Sequence, residues 1–63
     1  MSDNFYAGSQ EYVIILKKGT HHIYEIDYLD NGDDNYKEVF TGHYAKCLEE
    51  KERIINEYLE SLY

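Results

Sequence analysis

The 63-residue sequence contains no proline or tryptophan and has one cysteine, Cys47, which excludes an internal disulfide. No long apolar run is present either. The longest, residues 12–16, is far shorter than the ~20 residues needed to cross a bilayer as a helix. Residues 1–10 lack the basic start and apolar stretch of a secretion signal. We therefore expect no membrane partner and a cytoplasmic location, or a host's cytoplasm if a bacteriophage encodes the protein.

Basic side chains are scarce as well. Six Lys and Arg stand against 13 Asp and Glu, which gives a formal net charge of −7. Because phosphate contacts come from Lys and Arg, this balance argues against direct binding of nucleic acid. We expect instead a protein partner with a basic surface.

The chain is close to the lower size limit for a domain that folds alone. A domain of this length buries only ~60% of its unfolded surface, and small domains often add a disulfide, a metal or a second subunit. With no internal disulfide and no obvious metal motif, self-association is the expected support, and we predict a homodimer. The end of the last helix is expected to overhang the sheet and supply the contacts: Leu59, Leu62 and Tyr63.

Residues 11–63 are predicted to form a single domain, preceded by a flexible arm over residues 1–10. Runs rich in β-branched, aliphatic and aromatic residues predict strands at 11–17, 20–29 and 36–41. From His43 onward the apolar spacing changes to three and four, which indicates one amphipathic helix. The expected class is α+β, a three-stranded antiparallel β-meander with a C-terminal helix on one face. The predicted apolar stripe of the helix is Tyr44, Cys47, Leu48, Lys51, Ile54, Ile55, Tyr58, Leu59 and Leu62.

The first predicted strand carries apolar residues on both faces. We therefore expect the helix to cover one face and either the arm or a second subunit to cover the other. Asn31-Gly32 favours a type I′ turn between the next two strands. That turn would place Tyr24 opposite Val39 and Ile26 opposite Lys37, whereas a longer loop over residues 30–35 would change the register.

The predicted hairpin is strongly acidic and interleaved with tyrosines. One interpretation is a solvated face that keeps a small protein soluble and blunts an edge strand. The other is a recognition surface, because tyrosine is enriched at interfaces and carboxylates attract a cationic groove. On the second interpretation the partner-binding residues are Glu25, Asp27, Tyr28, Asp30, Asp33, Asp34, Tyr36 and Glu38.

Residues with catalytic or metal-binding potential are few. Residues 27–38 partly match an EF-hand loop, but Leu29 occupies a ligand position and the flanks read as strands. A site from His22, His43 and Cys47 is geometrically conceivable, yet no fourth ligand is evident. We predict no enzyme activity, no cofactor and no metal.

The strands around 12–16 and 23–28 precede Phe40-Thr41-Gly42-His43-Tyr44 and Cys47 at the start of the closing helix. In this general architecture the chain resembles small acidic proteins encoded by bacteriophages. The resemblance implies a non-enzymatic protein that binds and modulates a host protein, sometimes by imitating DNA. It transfers no functional residues.

Two functional hypotheses follow. In the first, a small acidic binding protein inhibits or modulates a nucleic-acid-acting host protein by occupying its basic surface, with DNA mimicry as one form. In the second, the protein is a structural or assembly module that acts through its own oligomerisation.

Overall fold

The computed structural model describes residues 2–63 and arranges them as four strands followed by one helix. Met1, which belongs to the predicted arm, lies outside the described residues. The strands form one antiparallel sheet in the order β1-β2-β3-β4. The elements are β1 (Ser2–Ala7), β2 (Gln10–Lys17), β3 (Thr20–Tyr28), β4 (Asp34–Gly42) and α1 (Tyr44–Glu60).

The predicted α+β class, antiparallel sheet and C-terminal helix are confirmed, but the prediction of three strands is wrong. Residues expected to form an arm make the edge strand β1, which pairs with β2 across the turn at Gly8-Ser9. Gly8 has a φ of +66°, a conformation that glycine adopts at little steric cost. Phe5 stacks on Tyr12 with ring centroids 5.0 Å apart, which joins β1 to the core. The segment therefore widens the sheet and covers neither of its faces.

The predicted β3–β4 register is wrong next to the loop, where the turn and the strand pairing both differ from the expectation, but it holds beyond the irregularity, where His22 pairs with Thr41. Tyr24 pairs with Glu38 and Ile26 with Tyr36, while the register shifts at Ile23/Tyr24. The type I′ geometry lies instead at Lys18-Gly19, where φ is +51° and +80°. A five-residue loop over 29–33 connects β3 to β4, so the longer-loop alternative describes the hairpin better.

The core lies between the sheet and α1. Its buried residues come from β1, β2, β3 and the helix: Phe5, Ile14, Ile23 and Cys47. Half-buried Tyr12, Phe40, Ile54 and Ile55 pack around them. The helix contacts this core along a narrow line, so the predicted stripe is wrong for five of its residues, which are exposed: Tyr44, Leu48, Tyr58, Leu59 and, beyond the end of α1, Leu62.

The opposite side of the sheet, which we call the open face, is not covered by any element formed by residues 2–63. Two residues on it, Val13 and Ile26, are nevertheless only 4% exposed. Alternation along the paired strands assigns to this face Asn4, Tyr6, Glu11, Val13, Ile15, Lys17, Thr20, His22, Tyr24, Ile26, Tyr28, Asp34, Tyr36, Glu38 and Thr41.

Within the described residues, α1 is neither long nor apolar enough to cross a membrane.

Candidate protein-binding surface

Four tyrosines occupy the open face, on β1, β3 and β4. Tyr6, Tyr28 and Tyr36 are 59%, 63% and 51% exposed, whereas Tyr24 is half-buried. Tyr24 and Tyr36 make an edge-to-face contact with ring centroids 6.3 Å apart. Because strand pairing aligns Val13 with Tyr24 and Ile26 with Tyr36, the rings border the two buried aliphatic residues. The face thus offers a broad aromatic and apolar surface with polar hydroxyl groups.

Glu11 lies within this tyrosine cluster and connects three strands. Its carboxylate accepts hydrogen bonds from Asn4 Nδ2 at 2.8 Å and from the Tyr28 hydroxyl. Those two bonds lower the pKa of Glu11, the Tyr28 bond having the larger effect. The Tyr28 hydrogen bond to Glu11, helped by desolvation and nearby negative charge, raises the pKa of Tyr28 to about 12. At neutral pH the Glu11 carboxylate is therefore ionised, and the Tyr28 phenol that donates to it is neutral.

A second polar group lies towards the other end of the open face. His22 Nδ1 is 2.5 Å from Glu38 Oε1, and the His22 ring stacks loosely on Tyr24 with centroids 6.2 Å apart. Lys17 Nζ lies 5.8 Å from the centre of the Tyr24 ring. Among the strand residues described, Lys17 is the one Lys or Arg assigned to the open face, against three carboxylates: Glu11, Asp34 and Glu38.

The structure divides the predicted partner-binding residues between the two faces and the hairpin loop. Asp34, Tyr36, Glu38 and Tyr28 share the open face. Asp30 and Asp33 are exposed in the loop, which is closed by hydrogen bonds from Leu29 N to Asp33 O and from Gly32 N to Leu29 O, both 3.0 Å. The remaining two, Glu25 and Asp27, alternate to the side that faces α1.

Glu25 has basic neighbours from this chain. It pairs with Lys37 on β4 and lines a groove of about 430 Å³ between sheet and helix, together with Arg53. Arg53 itself donates hydrogen bonds to Glu50 and Glu57, and these carboxylates raise the pKa of Arg53. The Arg53 hydrogen bond in turn lowers the pKa of Glu50. Glu25 and Asp27 therefore do not extend the acidic surface of the open face.

The predicted dimer contacts lie at the end of α1 and beyond it. Leu59 and Leu62 are 44% and 60% exposed, and Tyr63 is fully exposed. The structure places them in solvent, and their part in a dimer stays a prediction.

The candidate metal and thiol residues are separated. His22 lies on the open face, whereas Cys47 is fully buried on the other side of the sheet, where burial raises the pKa of its thiol. Residues 27–38 form strand, loop and strand where an EF-hand has helices. Among residues 2–63, no group of three or more His, Cys, Asp and Glu side chains is placed to hold a metal ion.

Sequence reasoning missed the contributions of β1 and β2 to this surface. Tyr6 and Glu11 are far from the acidic hairpin along the chain, and strand pairing brings them beside Tyr28. The available signal was Gly8-Ser9, a pair of turn-forming residues between Phe5-Tyr6 and the strand-like run at 11–17.

Comparisons of this chain with protein-family models, with curated proteins and with solved structures found no match.

Proposed function

We propose that this is a non-enzymatic binding protein whose open face docks onto a positively charged surface of a partner protein. The observation that carries the proposal is the cluster of Tyr6, Tyr24, Tyr28 and Tyr36 around Val13 and Ile26, on a face that residues 2–63 leave uncovered. Three carboxylates are placed among these rings, and Asp30 and Asp33 extend the negative charge to the adjacent loop.

Tyrosines suit this role because each supplies a large contact area with few rotatable bonds and a hydroxyl for hydrogen bonding. Tyr24 and Tyr36 already hold each other in an edge-to-face contact, and Glu11 holds Tyr28. Less side-chain freedom is therefore lost on docking than with unrestrained side chains.

The charge on the face favours a basic occupant. Three carboxylates outnumber Lys17, the one Lys or Arg that the described strands place on the open face, in a chain of net charge −7. Opposite charge on a partner speeds association and disfavours wrong partners. A second copy facing the same surface would bring together two faces with an excess of negative charge, so a basic protein suits the open face better.

A nucleic-acid-acting host protein is one such basic partner, and occupation of its basic groove would inhibit it. Regular imitation of DNA phosphates requires carboxylates repeated along one face. The open face instead interleaves Glu11, Asp34 and Glu38 with tyrosines, and Glu25 and Asp27 face the helix. This arrangement supports docking onto a basic surface in which aromatic contacts contribute as much as charge.

The test begins by capturing partners from a bacterial lysate on the immobilised protein, with identification by mass spectrometry. The purified partner is then titrated with wild type, with an Asp34→Asn/Glu38→Gln variant, and with a Glu52→Gln/Glu60→Gln control. Both variants lose two charges, but the control changes exposed helix residues. We expect the open-face variant to bind about tenfold or more weakly and the control to bind as wild type.

Salt dependence provides the second readout. Raising ionic strength from about 0.05 M to about 0.5 M should weaken wild-type binding and affect the open-face variant less. Equal affinities of all three proteins, with no salt dependence, would contradict the proposal.

A further inference from the structure

We infer that a second copy of this chain docks onto the outer edge of β1, so that the two β1 strands pair antiparallel and the sheets join into one of eight strands. This goes beyond the proposed function, does not depend on it, and uses a different surface. It also gives the second hypothesis, assembly through self-association, a specific geometry.

The outer edge of β1 presents backbone groups for pairing. Ala7 and Gln10 flank the two-residue turn and so form a hydrogen-bonded pair, after which alternate residues bond to β2. Asp3 and Phe5 therefore bond inward, while the amides and carbonyls of Ser2, Asn4 and Tyr6 point away from the sheet. Within residues 2–63, no other strand or loop supplies a backbone hydrogen bond to them.

The two edges of the sheet differ in how well they resist pairing. β4 carries Asp34, Lys37 and Glu38 and has a register irregularity near Val39. Charges and bulges of this kind discourage edge-to-edge association. β1 pairs with β2 in an uninterrupted register and has neither lysine nor proline.

A two-fold axis at Asn4 gives the strand pairing in which the outward-pointing backbone amides and carbonyls of β1 form hydrogen bonds with those of the second copy. Asn4 faces Asn4 of the second copy, and Ser2 faces Tyr6 in both directions. Each of these pairs can exchange two hydrogen bonds, about six in total. Backbone pairing along an exposed edge is a common way to add a strand.

The same register places opposite charges together on the helix side of the sheet. Asp3 comes next to Phe5 of the second copy. Within each chain, Lys51 Nζ lies 5.6 Å from the centre of the Phe5 ring. The Asp3 carboxylate accepts a hydrogen bond from the Tyr44 hydroxyl of its own chain at 2.7 Å, which holds it on the helix side of the sheet. The pairing brings the Lys51 ammonium of the other copy to the same side, twice by symmetry. Leu48, which lines the same depression of α1 as Lys51 and is 38% exposed, adds apolar surface on this flank.

The first test is sedimentation of wild type over a range of concentrations, compared with Asn4→Pro and Asn4→Ala. Proline removes the outward amide without a cost to the β2 ladder, since prolines are tolerated at such edge positions. Alanine removes only the Asn4 side chain and its bond to Glu11. We expect concentration-dependent dimers for wild type and Asn4→Ala, and a dissociation constant raised about tenfold or more for Asn4→Pro.

The second test separates misfolding from loss of the contact. Asp3→Lys and Lys51→Asp each place like charges across the interface, so each alone should be monomeric. Mixed in equal amounts, they restore both opposite-charge contacts and should form a heterodimer.

Three results would overturn the inference: wild type that stays monomeric at all concentrations, an Asn4→Pro variant that dimerises as wild type does, or no association on mixing the charge variants. Dimers lost in Leu62→Ser but retained in Asn4→Pro would assign the interface to the helix end instead.

Discussion

Tyr28, on β3, donates its hydroxyl hydrogen to Glu11 on β2, and Asn4 of β1 donates to the same carboxylate. One side chain thus connects three neighbouring strands on a face that no helix of the described chain covers. The hydrogen bond between Tyr28 and Glu11 favours both the ionised Glu11 carboxylate and the neutral Tyr28 phenol, so it should alter the titration of both groups.

The first prediction concerns the pH dependence of this pair. The pKa of Tyr28 is raised from an ordinary value of 10.0 to about 12, so its contribution to stability is present below pH 10 and lost as pH rises towards 12. The pKa of Glu11 is lowered, so its contribution is present above the ordinary carboxyl value and lost as pH falls through the lowered one. NMR titration of the tyrosine rings should find Tyr28 among the last to ionise. The Glu11→Gln substitution should move the pKa of Tyr28 back towards 10.0. An unchanged Tyr28 titration in that variant would show that the bond to Glu11 is absent.

The second prediction concerns the β1–β2 turn. An alanine Cβ at Gly8 would lie 2.5 to 2.9 Å from Cε1, Cζ and the hydroxyl oxygen of Tyr58, at a φ of +66°. Gly19, at a φ of +80°, has open space around it. Gly19→Ala should cost about 1–2 kcal/mol from backbone strain alone. Gly8→Ala should cost about 1 kcal/mol more, because the end of the Tyr58 side chain must also shift. Denaturant unfolding of both variants measures the difference, and equal losses would mean that Tyr58 does not pack on the turn.

The third prediction concerns burial on the open face. Ile26 is 4% exposed, whereas Leu16, on the helix side, is 53% exposed. Ile26→Ala should cost about 2–5 kcal/mol, as for a core residue, because the tyrosine rings shield it from water. Leu16→Ala should change the free energy of unfolding by roughly 0.5 kcal/mol or less. Similar small losses for both would show that the tyrosines do not form a packed layer.

The fourth prediction concerns Cys47. Its side chain is fully buried against the sheet, and burial raises the pKa of the thiol. A thiol reagent should therefore label the folded protein roughly 100-fold or more slowly than the denatured chain, because reaction requires unfolding at a cost of several kcal/mol. Rapid labelling under native conditions would contradict the assigned core.

Most of the fold was predictable because the spacing of apolar residues along the sequence identifies long amphipathic segments. The spacing from Tyr44 to Tyr58 indicated the helix, and the aliphatic run 12–16 indicated the central strand β2. β1 was missed because its residues are mostly polar and only Phe5 and Ala7 enter the core. The β3–β4 register was missed next to the loop because Asn31-Gly32 favours a two-residue turn, whereas the loop spans residues 29–33. Beyond the irregularity near Val39, Ile23 pairs with Phe40 and His22 with Thr41, as that turn would have placed them.

The candidate surface was less predictable than the fold. Charge density identified the acidic hairpin, but the face on which each carboxylate lies depends on register and alternation. Glu38 therefore joins the tyrosines of the open face, while Glu25 turns to the helix and Arg53. Strand pairing also determines the positions of Tyr6 and Glu11, which no local pattern in the hairpin could reveal.

The central claim is that the open face is the contact surface. Its most direct test is an NMR titration of the labelled protein with its captured, purified partner at low salt. We predict that the signals of Tyr6, Tyr24, Tyr28 and Tyr36 change on binding, while those of the exposed helix residues Glu49 and Glu52 do not. Changes confined to the helix, with the four tyrosines unaffected, would contradict the account.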